Sequence, residues 1–307
     1  MRAARRASVV LLLVGVLAPA EPASAWVASA HDKIARAAIE SLPEGMPAFF
    51  RAGASRVGPS AVDPDYFRLH DLPQLRNAES PEHYLDSEFL NGAEWPPSRY
   101  AYLVLLARIE RDPYAVGMLP YALVEGVQRL AASFAQVRLR PDDDWAQAKT
   151  LHHAGILAHY SADLCQPLHT TIHYNGRAGA DGSSPRSGIH LLMDSLANEV
   201  FGRGGVPLGP VAAVADPWTA IRDEFATSHA LVDRVYELEN DLSPEKLSAE
   251  ALVFGRERVA ASVRFTAALF VTAWELSDKI SLPSWFRGMQ PQEPGAPAPQ
   301  PAGSSPR

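Results

Sequence analysis

Two pairs of histidine and aspartate stand one helical turn apart in this chain, His159 with Asp163 and His190 with Asp194. Residues at i and i+4 share a helix face, so each pair can offer an imidazole nitrogen and a carboxylate oxygen to the same ion. Zinc takes such ligands in small shells, and two pairs separated by a loop could hold a cluster of ions rather than one. His169 follows Asp163 closely, and Pro167 just before it ends or bends the helix, which turns His169 in a new direction and separates a second site from the first. A lone pair of this kind is most often a surface pair or a satisfied core histidine. Two pairs favour metal, and the first sits in a mostly apolar stretch, 151–164, where an unpartnered imidazole and carboxylate are costly to bury.

The amino terminus supplies a second signal. Arg2, Arg5 and Arg6 precede an apolar run from Val9 to Leu17 that leads to Ala23-Ser24-Ala25, the pattern of a secretory signal peptide over residues 1–25. Cleavage after Ala25 would make Trp26 the first residue, and its freed α-amino group, with an ordinary pKa near about 8, could bind a metal together with its own carbonyl. The bland alternative has Trp26 opening a helix with His31 on the surface. The expected destination is secreted or periplasmic. No transmembrane helix is expected, because the apolar stretch Phe265–Trp274 is too short and too closely flanked by charge to span a bilayer.

Trp26, His31, the His83-Tyr-Leu-Asp86 segment, the H-x3-D-x5-H pattern from His159 to His169 and the H-x3-D of His190 and Asp194 together resemble one superfamily. It is that of the trinuclear zinc phosphodiesterases, which contains the mung-bean-type single-strand nucleases and the bacterial zinc-dependent phospholipases C. The likeness spans about residues 26–200, and Asp65-Tyr-Phe-Arg68 looks like the D-x-x-R segment of the nucleases. The resemblance implies three zinc ions. Asp65, His83, His159 and Asp163 would surround one, His169, His190 and Asp194 a second, and Trp26, His31 and a bridging Asp163 the third. Asp63 and Asp71 compete with Asp65 for its place in that register. Asp65 and Arg68 are the implied catalytic residues, Asp65 to orient or deprotonate water and Arg68 to contact the phosphate, although Arg68 could equally be the structural partner of a carboxylate.

The implied activity is hydrolysis of phosphoric esters. Asp194 and the short spacing from Trp26 to His31 favour a nuclease or 3′-nucleotidase acting on single-stranded nucleic acid or nucleotides. Phospholipase C acting on phospholipid is the alternative, and a non-catalytic zinc-binding relative is a third reading. A nuclease predicts aromatic side chains beside the metals that can stack a base, and a phospholipase predicts exposed apolar surface at the mouth of the site. The loop 170–188 should shape the pocket, but it reads Ala-Asp-Gly-Ser-Ser where the nucleases carry a Gly-Gly-Asn element. His173 in that loop is a candidate phosphate contact. No protein partner is implied.

Charge and composition fit this reading without requiring it. The net charge is −7, and removing the three arginines and one glutamate of the leader takes it to −9, which argues against a broad basic groove for duplex nucleic acid. Cys165 is the sole cysteine, so no internal disulfide exists. Apolar residues recur at helical spacing over 28–40, 98–111, 114–137, 143–164, 188–201, 217–240 and 245–278, with no convincing alternating run. The expectation is an all-α single domain over 26–287 carrying the metal cluster in a cleft. A Pro-rich tail, 288–307, has a composition that cannot bury enough surface to fold.

Overall fold

The structure, a computed structural model, describes residues 26–207, 209–283 and 286; the expected leader and the Pro-rich tail lie outside the described residues. The chain forms thirteen α-helices there: α1 Ala28–Glu40, α2 Ala48–Arg51, α3 Ala54–Ser60, α4 Asp63–Tyr66, α5 Pro73–Glu79, α6 Arg99–Arg108, α7 Pro113–Val116, α8 Leu119–Leu139, α9 Asp144–Leu164, α10 Ile189–Gly202, α11 Pro217–His229, α12 Val232–Glu237 and α13 Ala249–Ser277. Short 3₁₀ turns occur at Ser80–His83, Ser87–Leu90, Pro167–His169 and Glu239–Asp241. Among the described residues extended pairing is limited to isolated bridges. The fold is all-α, a single domain of packed helices.

Long helices form where the apolar period predicts them, and side chains fix their starts. Asp143 accepts from the amides of Trp145 and Ala146 at the head of α9, and Ser98 caps α6 in the same way. α13 starts later than Ser243-Pro244 suggests, because Ser248 supplies the cap by accepting from the Ala251 amide. α13 is the one helix among the described residues long and apolar enough to cross a membrane, yet most of its apolar face is packed inside the domain. Its Phe270 meets Phe50 edge to face at 5.4 Å, and Phe50 meets Phe134 of α8 at 4.8 Å. This cluster joins α8, α9 and α13. A second cluster, containing Trp26, Ile34, Met193, Leu196 and Val263, clamps α1 and α10 onto α13. The two clusters bring together α1, α9 and α10, the helices that carry His31, the 159/163 pair and the 190/194 pair.

Two departures from the apolar period serve the site. The expected helix 114–137 is broken at Gly117, which has φ +95° and would put a Cβ 2.1 Å from the Tyr84 carbonyl oxygen. At that break the amide of Asp86 donates to Val116 O, Met118 N to Pro81 O and Leu119 N to Tyr84 O, so the backbone on both sides of His83 is held. The expected helix 217–240 likewise breaks at Ala230–Leu231 into α11 and α12.

Candidate metal centre

Asp163 is fully buried at the point where four histidines converge. Its Oδ1 lies 3.4 Å from His31 Nε2 and 3.9 Å from His169 Nε2, and its Oδ2 lies 3.2 Å from His83 Nδ1 and 3.3 Å from His159 Nε2. Each carboxylate oxygen therefore faces two imidazoles. α9 supplies Asp163 and His159 on one face, α1 supplies His31, whose ring stacks on His159 with centroids 3.8 Å apart, and the 3₁₀ turns supply His83 and His169. Gly155 allows this approach, because a Cβ there would meet Ser60 at 2.4 Å where α3 crosses α9. Just beyond α3, Ala61 O accepts a hydrogen bond from His159 Nδ1 at 2.8 Å.

Among the described residues, ligand atoms gather within 4.8 Å of one another in three groups: His31 with His159 and Asp163; Asp65 with His83 and His159; and His169 with His190 and Asp194. His159 thus stands between two groups rather than in one. Asp65 faces the cluster, whereas Asp63 lies 3.5 Å from His152 and Asp71 is exposed. Trp26 is buried, and its indole Nε1 donates to Ala162 O at 2.9 Å, which holds the chain beside Asp163.

Backbone carbonyls set the ring tautomers. A carbonyl only accepts, so the Nδ1 atoms of His159, His169 and His190 carry the protons that they donate to Ala61, His83 and Tyr174 at 2.8, 2.6 and 2.9 Å. The Nε2 lone pair of each ring is left to face the cluster, the arrangement of a metal ligand oriented through its other nitrogen. Both nitrogens of His31, the Nε2 atoms of His83, His169 and His190, Asp163 Oδ1 and Asp194 Oδ2 are buried with no hydrogen-bond partner. Such atoms cost about 1–3 kcal/mol each when unsatisfied. Imidazole and carboxylate atoms concentrated in this way fit zinc as the partner they lack.

The charge balance agrees with that fit. Burial alone would raise the Asp163 carboxyl, but its interactions with His169 and His159 hold it well below the ordinary range, so it stays anionic. Burial, reinforced by Arg68, lowers His83 to about 3, and burial with His169 nearby lowers His190 to about 3, so both are neutral at pH 7. Asp194 is pushed the other way by burial. Its one hydrogen bond comes from Gln166 Nε2 to Oδ1 at 2.8 Å, leaving Oδ2 3.3 Å from His190 Nε2. Gln166 Oε1 also accepts from the Leu168 amide and so shapes the turn that presents His169.

His83, His169 and His190 of the cluster line a cleft of about 480 Å³. Arg68, Arg76 and Arg186 line it, together with Tyr84, Phe89, Tyr114 and Tyr174. Arg68 Nη1 lies 3.4 Å from Asp65 Oδ1, so Arg68 is the partner of a carboxylate and also lines the cleft. The loop 170–188 contributes Tyr174, Asn175, Gly182 and Arg186. His173 is turned to the loop's own backbone, accepting at Nδ1 from the Ala178 amide at 2.9 Å. Arg76, Arg186 and Gln166 carry no spacing signal in the sequence; the short helix α5, a loop and a turn bring them in. A cavity of about 520 Å³ beside Arg140, Trp145 and Lys149 contains none of the converging groups. Cys165 is buried and its thiol is pushed up by burial, as expected of a small packed residue.

No family model matches the chain, and no curated protein matches it. Among solved structures it is similar to the alpha-toxin of Clostridium perfringens from avian strain SWCP, at 12% identity and TM-score 0.47, over 83% of this chain and 65% of that one. It is also similar to the alpha toxin of Clostridium absonum, at 12% identity and TM-score 0.48, over 85% of this chain and 66% of that one. The chain thus spans just under two thirds of the length of either toxin.

Proposed function

We propose that the chain is an exported zinc-dependent phosphoric ester hydrolase acting on phospholipid. The observation that carries the hydrolase reading is the buried Asp163 with two histidines at each oxygen, beside a cleft that His83, His169 and three arginines line. Asp65, His83 and His159 would hold one zinc, His31 and Asp163 with the Trp26 terminus another, and His169, His190 and Asp194 a third. Zinc bound there supplies a Lewis acid that acidifies water and offsets charge on phosphoryl oxygens. The rest is the work of the chain. Arg68 and Arg76 receive the phosphate through charge-assisted hydrogen bonds and fix its orientation. Asp65, held below the ordinary carboxylate range by His159, His31 and His83 against the opposing effect of burial, is anionic and can take a proton from the attacking water.

The phospholipid reading is supported by apolar side chains exposed on the segment that carries the cleft-lining Arg68 and Arg76, namely Tyr66, Leu69, Leu72 and Leu75. A second reading, cleavage of single-stranded nucleic acid, is favoured by Tyr84, Phe89, Tyr114 and Tyr174, whose rings could stack a base. Zinc-loaded protein is expected to hydrolyse dispersed phosphatidylcholine, to lose that activity with a chelator and to regain it with zinc. Cleavage of single-stranded DNA with lipid untouched would reverse the substrate assignment, and no hydrolysis of either would leave a non-catalytic zinc protein.

A further inference from the structure

Four of the twelve large apolar or aromatic side chains exposed among the described residues fall in one short segment, 66–75: Tyr66, Leu69, Leu72 and Leu75, 38–58% exposed. They recur every third residue. Leu69 N donates to Tyr66 O and Leu72 N to Leu69 O, two successive turns that join Tyr66, Leu69 and Leu72, and Leu75 follows in the first turn of α5. α5, which follows, buries none of its residues, whereas a surface helix normally turns its apolar side inward. Arg68 and Arg76 of the same segment line the cleft, and Arg76 Nη1 is steadied by His70 Nδ1 at 3.0 Å while its Nε has no hydrogen-bond partner.

We propose that residues 66–75 dock the protein on a phospholipid surface, the four apolar side chains entering the acyl boundary while Arg68 and Arg76 meet the phosphate layer above it. The inference rests on the phospholipid reading above and adds the element that delivers the substrate. Two observations select this occupant. The guanidinium groups beside the apolar row complement a layer of phosphates, which lies next to the acyl chains in a lipid surface and has no such regular neighbour in a protein. A single row of four side chains is also narrow beside the roughly 800 Å² that each partner buries in a stable protein interface. Because the chain as a whole is acidic, attachment runs on apolar burial, so a zwitterionic surface suffices and added salt changes it little.

The test is co-sedimentation of the exported protein with phosphatidylcholine vesicles at low and high salt, alongside hydrolysis of a soluble, monomeric short-chain phosphodiester. The double variant Leu69→Asp/Leu72→Asp is expected to lose about tenfold or more in vesicle binding while keeping zinc content and monomer hydrolysis. Val253→Asp, at an exposed position on α13, should bind as the wild type does. If the Asp pair fails to fold, Leu69→Gln/Leu72→Gln makes the same comparison. Docking is overturned by equal binding of wild type and double variant, by monomer hydrolysis with no vesicle binding, or by binding that needs anionic lipid and vanishes in salt. It is overturned as well by a wild-type dimer that the variant abolishes without any vesicle binding. Vesicle binding that the variant loses, with no phosphodiester hydrolysed, supports docking and separately removes the hydrolase reading.

Discussion

Asn in place of Asp163 keeps the volume and removes the charge that four histidines face, so it separates a metal bridge from a packed core aspartate. Both oxygens of Asp163 lie 3.2–3.9 Å from ring nitrogens and are sealed from water, so no solvent can replace the lost anion. Outer-shell partners of zinc change affinity by about 10–100-fold, and loss of an anionic ligand should exceed that, to about a thousandfold. At fixed free zinc, a thousandfold weaker site forfeits about 4 kcal/mol of stabilisation. At about 2–4 °C per kcal/mol for a domain of this size, the zinc-induced rise in Tm should shrink by about 8–16 °C. The assay is thermal unfolding of wild type and Asp163→Asn, each with zinc and with a chelator. The chelated forms should differ much less than the zinc forms. An equal zinc-induced rise in the two proteins would refute the bridging role, and so would an equal deficit with and without zinc.

Other consequences can be checked in the same material. Gln166→Leu strands Asp194 Oδ1 and the Leu168 amide, so zinc titration should show the His169, His190 and Asp194 group weakened by about 10–100-fold. Gly117→Ala forces a side chain to φ +95° and into the Tyr84 carbonyl, so denaturant unfolding should show a loss of about 2 kcal/mol or more, with hydrolysis reduced because His83 moves. Zinc-free protein should lose stability as pH falls from about 6.5 towards 3. In that window the unfolded chain takes protons on His83 and His190 that the folded one, with both pKa values lowered to about 3, does not, so stability rises with pH there; a flat profile would contradict the burial of neutral imidazoles.

What the sequence makes legible follows from how local each feature is. The pairs 159/163 and 190/194 can be read because one helix fixes their geometry, and α1, α9, α10 and α13 because an apolar period sustained over several turns has one meaning. The convergence of His31, His83 and His169 on Asp163 depends on helix packing, and only the family resemblance anticipates it. α2 to α5 go unread since four to seven residues, interrupted by Gly53, Pro59 and Pro64, give no period to detect. The break at Gly117 is hidden by apolar residues on both sides, and its cause, the close approach of Tyr84, is tertiary. Arg76, Arg186 and Gln166 act through position alone, and nothing in their spacing marks them. The outward apolar row 66–75 is invisible for a related reason, as sequence shows which residues are apolar but not which way a short turn faces.

Asp163, with the histidines around it, is proposed as the middle of a zinc cluster. Anomalous X-ray scattering across the zinc edge from crystals of the zinc-loaded protein tests it most directly. Three zinc peaks are expected, two of them beside Asp163 and the third between His169, His190 and Asp194. Zinc found elsewhere on the molecule, or no zinc at these groups in a folded protein, would contradict it.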